Sequence, residues 1–172
     1  THWIEALRVL RYLKHTSRYG LLFNGYKQLV QYQVYTDASF ADLPTYHSVS
    51  GWVVLMAGCA ISDKSSGQAT VALSTANAES VALVDGVRES EYFRHFLTEL
   101  GVKLANPIRV WCDNKAAISI VKNLANHPSV KHVAIRQMYA RELQQRGVID
   151  VAYLNTQDMI ADMFTKPLAE PQ

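Results

Sequence analysis

Cysteine is nearly absent: two residues, Cys59 and Cys112, stand in a chain of 172. Two cannot build a disulfide framework, and both sit among apolar neighbours, so they read as small buried hydrophobes of a reducing compartment. No apolar run approaches membrane-spanning length, and the N-terminus lacks the layout of a signal peptide. An intracellular chain without a membrane partner is the expectation. Repeats and low-complexity segments are missing too. Neither sign of charge dominates, with 17 Lys and Arg against 15 Asp and Glu. A net charge of +2 permits a nucleic-acid partner without arguing for one. What is present is 49% hydrophobic and 19% charged, enough for one globular domain with a real core and a short appendage. The chain opens inside a helical pattern rather than at Met, so a fragment of a larger polyprotein is expected.

Trp3, Ala6, Leu7, Leu10 and Leu13 repeat at i+3/i+4 and predict an amphipathic helix over about residues 2–15, closed by the turn-like TSRYG. Tyr32, Val34 and Thr36 alternate with Gln31, Gln33 and Tyr35, the pattern of a half-buried strand ending at Asp37. After the polar loop ADLPTYHSVS, the runs GWVVLMAG, CAIS and ATVALS read as antiparallel strands divided by Gly- and Ser-rich turns. A long helix is predicted over residues 76–100, with an apolar stripe at Tyr92, Phe93, Phe96, Leu97 and Leu100 and a cap at Gly101. IRVWC is a strand, residues 115–123 a short helix, residues 130–146 a basic helix, VIDVAYL a strand, and residues 158–166 a last short helix. Strands first, then helices alternating with strands, imply a mixed sheet covered on both faces.

In WCDNKAAISIVK a buried strand stops at an acid and turns straight into a helix. Asp113 or Asn114 can cap that helix through its free first-turn N–H groups. Strand ends in open α/β sheets are also where ligands and metals bind. Asp37 ends another strand, Glu79 lies in the first turns of the long helix, and Asp162 lies in the last helix. Each acid alone reads as a solvated charge. Bundled together, they would raise one another's pKa unless hard cations joined them. Mg²⁺ takes one or two carboxylates and keeps its other positions for water and phosphate oxygens. Two such ions about 3.5–4 Å apart clamp the attacking and leaving oxygens of an in-line phosphoryl displacement.

The ordered stretches YTDASFAD, ALSTANAESVAL, VWCDNKAAI, KHVAIR and IADMFTKPL resemble the ribonuclease H domain of copia-type LTR-retrotransposon reverse transcriptases, part of the Pol polyprotein. The leading HWIEALRVLRYLKHTSRYGL resembles the segment that joins the polymerase part to that domain. The resemblance implies residues 1–28 as connecting segment and residues 29–172 as a ribonuclease H-like domain. It implies an α/β fold with a five-stranded mixed sheet, the second strand antiparallel, and helices on both faces. The implied activity is endonucleolytic cleavage of the RNA strand of RNA–DNA hybrids during reverse transcription, leaving 5′-phosphate and 3′-hydroxyl ends. Asp37, Glu79, Asp113 and Asp162 match the family's catalytic, metal-binding acids, for two Mg²⁺ ions that Mn²⁺ can replace. Asp113 is expected to bridge the two ions, with any capping by Asn114 secondary. The family usually shows two glutamates near this helix start; here they correspond to Asn77 and Glu79, and Ala82 matches the small residue after the catalytic one.

Nucleic-acid contacts are expected from Lys115, Lys122, Lys131 and Arg136, around the two helices after the fourth strand. The partners implied are the hybrid and the polymerase domain of the same polyprotein, in a cytoplasmic virus-like particle if the element is active. An inactive module of the same fold, used for nucleic-acid binding or protein assembly, is the alternative. Such a module would be expected to have lost acids, and this chain keeps all four. Departures from the family are specific. The loop LNTQD lacks the histidine that cellular relatives carry, and His132 is the nearest upstream candidate. Asp63 stands where Trp is typical, Ser66 and Gly67 replace lysines, and Ser80 replaces a common Tyr.

Overall fold

The computed structural model describes residues 2–23, 31–102, 104, 107–122 and 131–167, without the side chains of residues 131–133. Its elements are α1 (His2–His15), β1 (Tyr32–Ser39), β2 (Val49–Met56), β3 (Cys59–Gly67), α2 (Thr75–Glu99), β4 (Ile108–Cys112), α3 (Lys115–Lys122), α4 (Lys131–Gln145) and β5 (Ile149–Tyr153). Two 3-10 helices, Thr156–Asp158 and Ile160–Phe164, follow. The five strands form one mixed sheet in the order β3-β2-β1-β4-β5. β2 runs antiparallel to β1 and β3, while β4 is parallel to both β1 and β5. Parallel neighbours require crossovers, and α2 supplies one between β1 and β4 by way of β2 and β3.

Period-2 alternation decides what each strand buries. Val34, Val110 and Val151 are fully buried and share one cluster with Leu83, Val87, Val121 and Ala140, so α2, α3 and α4 all pack on that face. Gly86 permits the approach of α2: a Cβ there would lie 2.8 Å from Thr36 Cγ2 and 3.1 Å from Val34 Cγ1. The opposite face carries Gln33, Tyr35 and Trp111, half-buried, with the Trp111 indole N–H donating to Gln33 Oε1 at 2.8 Å. Helical cover on that face comes from the segment Ile160–Phe164, seated on β2 at Gly51.

Several expectations need correction. The stretch ATVALS is coil, not a strand; β3 instead continues from CAIS through Gly67. Ser74, at its end, caps α2 by accepting from the Asn77 N–H. β1 does not stop at Asp37 but runs two residues further, because Asp37 to Ser39 still pair with Gly51 to Val49. The last helix is two 3-10 pieces, and the Met159 backbone between them is extended. Of the stripe on α2, Leu97 is buried and Phe93 packs on the core, but Tyr92, Phe96 and Leu100 are 65%, 47% and 64% exposed. The face α2 buries is the smaller-residue one of Ala78, Ala82, Leu83, Val84 and Val87. α1 forms where expected but buries no residue, so its apolar stripe is exposed. The expected boundary at residues 28 and 29 lies outside the described residues.

Candidate metal centre

The parallel pair β1 and β4 carries its carboxyl ends to one rim of the sheet. Asp37 projects to the face opposite α2, since its neighbours Thr36 and Ala38 point toward the helices; it is 1% exposed. Asp113 follows the last residue of β4. Asp162 is delivered from the second 3-10 helix, which Gly51 allows to lie flat on β2: a Cβ there would meet Thr165 Cγ2 at 2.6 Å and Phe164 Cβ at 2.8 Å. Glu79 enters from the other side, in the second turn of α2, and is 4% exposed.

These acids meet. One oxygen from each of Asp37, Asp113 and Asp162 lies within 4.8 Å of the other two. Glu79, Cys112 and Asp113 make a second group with ligand atoms within the same distance of one another. Asp113 belongs to both. It is not the helix cap: Asn114 Oδ1 accepts from the N–H groups of Ala116 and Ala117, each at 3.0 Å, and so caps α3. Asp113 Oδ2 accepts instead from Thr156 Oγ1 at 2.7 Å. That threonine lies in the histidine-free loop.

Two residues that sequence reasoning passed over complete the cluster. Thr165 Oγ1 donates to Asp37 Oδ2. Lys166 Nζ lies 2.9 Å from Asp162 Oδ1 and 3.4 Å from Asp37 Oδ2, an ammonium between two carboxylates. The signal was available, since an acid followed four residues later by a lysine is a local ion-pair spacing, and IADMFTKPL contains it.

The electrostatics follow from burial and like charge. Burial first, then the charges of Asp37 and Asp113, pushes Glu79 up to about 9, against smaller opposing effects of Lys166 and the Ala38 backbone. Glu79 Oε2 is buried without a hydrogen-bond partner. Burial also raises Asp37, although the Thr165 hydroxyl and Lys166 pull it down. Burial alone would lower Lys166, but its hydrogen bond to Asp162 and the charges of Asp37 and Asp162 prevail and raise it. The cluster is therefore short of positive charge. Oxygen donors packed this closely, one of them unpartnered, fit hard divalent ions.

The four basic candidates are scattered. Lys115 opens α3 beside the rim, with its ammonium 4.8 Å from the centroid of the Tyr153 ring. Lys122 ends α3 at the far end of the sheet, where it faces Asp150 at 3.9 Å. Arg136 faces Asp85 of α2 at 3.8 Å. The side chains of Lys131 and His132 lie outside the described residues. Ser80 is buried and accepts from Gln137 Nε2 at 2.9 Å, tying α2 to α4.

The strand order, the antiparallel second strand and the acids at the carboxyl rim define the class: the domain has the ribonuclease H fold. LC11-RNase H1, isolated from compost by a metagenomic approach, superimposes with a TM-score of 0.59 at 13% identity, covering 78% of this chain and 91% of that one. No protein-family model matches the sequence. Individual relatives do: the chain is 34% identical over 169 residues to the retrovirus-related Pol polyprotein from transposon RE2 of Arabidopsis thaliana, covering 98% of this chain and 12% of the relative. It is 35% identical over 166 residues to that from transposon TNT 1-94 of Nicotiana tabacum, covering 96% of this chain and 12% of the relative. Its relatives over nearly the whole chain are retrovirus-related Pol polyproteins of plant copia-type transposons, and its structural neighbours are ribonuclease H domains. It spans about an eighth of the length of these relatives.

Proposed function

We propose that the chain is a metal-dependent ribonuclease H, cleaving the RNA strand of RNA–DNA hybrids in a retrotransposon polyprotein. The observation that carries this reading is the convergence of Asp37, Glu79, Asp113 and Asp162, with Asp113 common to both ligand groups. LC11-RNase H1, of the same fold, is known in complex with an RNA/DNA hybrid. A divalent pair, Mg²⁺ or Mn²⁺, would supply Lewis-acid activation of water and stabilisation of the leaving oxygen.

The residues do the rest. Asp37, Asp113 and Asp162 would hold one ion, Glu79 and Asp113 the other. Thr156, by donating to Asp113, fixes the shared carboxylate. Thr165 does the same for Asp37 and anchors the 3-10 helix that brings Asp162. Lys166 balances charge in the metal-free cluster and must be displaced as ions enter. Of the candidates whose side chains are described, Lys115, exposed at the rim, is best placed to meet a phosphate backbone. Lys122 and Arg136 already face acids, so they are weaker contributors. The hybrid's 2′-hydroxyls and wide minor groove provide the discrimination.

The test is a gel assay on hybrids labelled in either strand. Cleavage of the RNA strand with Mg²⁺, and none with EDTA, is expected. Intact RNA under both conditions would favour the inactive-module alternative, in which the same surface only binds.

A further inference from the structure

Cys112 is the one member of the second ligand group that the proposed two-ion chemistry does not use. It ends β4 on the helix-covered face and is fully buried. Its Sγ nevertheless lies within 4.8 Å of carboxylate oxygens of Glu79 and Asp113. The sulfur accepts from the Asn114 N–H at 3.4 Å and faces the Asn114 carbonyl at 3.8 Å. The Glu79 carboxylate, 4% exposed, belongs to the same group, and its Oε2 is buried without a hydrogen-bond partner. A soft donor and two hard ones therefore converge.

We propose that Glu79, Cys112 and Asp113 form a site for a thiophilic divalent cation of the zinc class, overlapping the proposed two-ion centre. The site rests on that reading only in sharing Glu79 and Asp113. Mg²⁺ selects oxygen donors and would ignore the sulfur. Zinc accepts thiolate and carboxylate together, and three protein ligands plus an open position make an ordinary zinc site. Divalent affinity also rises from manganese toward zinc at such donor sets. On binding, the Cys112 S–H bond breaks, its proton leaves to solvent, and a metal–sulfur bond forms with no change of oxidation state. An ion held there occupies Glu79 and Asp113, so zinc-class ions compete with Mg²⁺ and inhibit cleavage.

The experiment titrates the metal-free full chain with Cd²⁺ and with Co²⁺ and follows sulfur-to-metal charge-transfer absorption in the ultraviolet. A saturable band is expected in the parent and in Cys59→Ser, and its loss in Cys112→Ser. Cd²⁺ affinity, measured by calorimetry, should fall about tenfold or more in Cys112→Ser, at least what losing an outer partner costs a metal site. Should Cys112→Ser fail to fold by circular dichroism, Glu79→Gln replaces it and should weaken Cd²⁺ binding while Cys112 is present. No band in the parent, a band surviving in Cys112→Ser, or unchanged Cd²⁺ affinity in Glu79→Gln overturns the site. A band without Mg²⁺-dependent cleavage would sink the nuclease reading alone; cleavage without a band would sink the thiophilic site alone.

Discussion

Asp37 is almost wholly buried, yet it is answered by the Thr165 hydroxyl and the Lys166 ammonium. Lys166 thus stands between acids that repel one another. In Lys166→Met the melting temperature in EDTA should fall, while the rise produced by Mn²⁺ should grow, because the ion no longer displaces an ammonium. An unchanged temperature in EDTA with an unchanged Mn²⁺ response would make Lys166 a bystander. Glu79 gives a pH signature of defined sign. Its folded value of about 9 lies above the ordinary 4.5, so the folded protein keeps a proton that the unfolded chain releases. The associated stability is present in full below about 4.5 and is lost as pH rises toward about 9. Denaturant unfolding in EDTA should therefore show the metal-free protein weakening across that window, and Glu79→Gln should flatten the dependence. A parent as steep as Glu79→Gln would contradict the burial argument. Asp37, Glu79, Asp113 and Asp162 could each be named from the sequence because each lies in a stretch that resembles a family motif; Glu79 also lies near a helix start and Asp113 just past a strand end. Lys166 was legible only as the i+4 partner of Asp162, and Thr165 and Thr156 not at all, since the contacts to Asp37 and Asp113 join segments far apart in the chain and nothing local marks a threonine as a carboxylate's partner.

The second 3-10 helix (Ile160–Phe164) is the element on which the centre's geometry depends. It reaches the rim because β2 offers Gly51 rather than a side chain. In Gly51→Ala the added methyl meets the Thr165 and Phe164 side chains at 2.6 and 2.8 Å, so the segment carrying Asp162 and Lys166 must lift. Destabilisation of roughly 1–3 kcal/mol is expected from such overpacking. Cleavage should fall by more than the unfolded fraction explains. If activity simply tracked stability, the segment would not be positioning the site. Sequence pattern served well for the existence of β1, β4, β5 and α2–α4, each of which has a buried face, and it placed α1 too, although that helix buries no residue. It failed where pattern and packing part. ATVALS has strand-like apolar residues but lies in coil leading to the Ser74 cap of α2. Tyr92, Phe96 and Leu100 are spaced as a core stripe, yet Gly86 and small residues on another side of α2 fit the sheet more closely, and that side is buried.

At the scale of the molecule, one layer of helices covers one face of the sheet, and α1 stands apart with no buried residue. Among the described residues, the segment after α1 meets the sheet through Cys59 Sγ, which donates to the Leu22 carbonyl at 3.4 Å. Deleting residues 1–15 should therefore leave the stability of the rest within about 0.5 kcal/mol, as for changes at exposed sites. A large loss would show that α1 belongs to the domain. The central claim is that the rim acids work as one metal-dependent hydrolytic centre, with Asp113 shared by both ligand groups. The measurement that bears on it most directly compares the parent with Asp113→Asn in Mg²⁺-dependent cleavage of a strand-labelled RNA–DNA hybrid, at matched circular dichroism and melting temperature. The substitution removes a charged ligand without opening a cavity, so the folded variant should cleave neither strand while the parent cuts the RNA. Near-parental cleavage by Asp113→Asn would contradict the account and place the chemistry elsewhere.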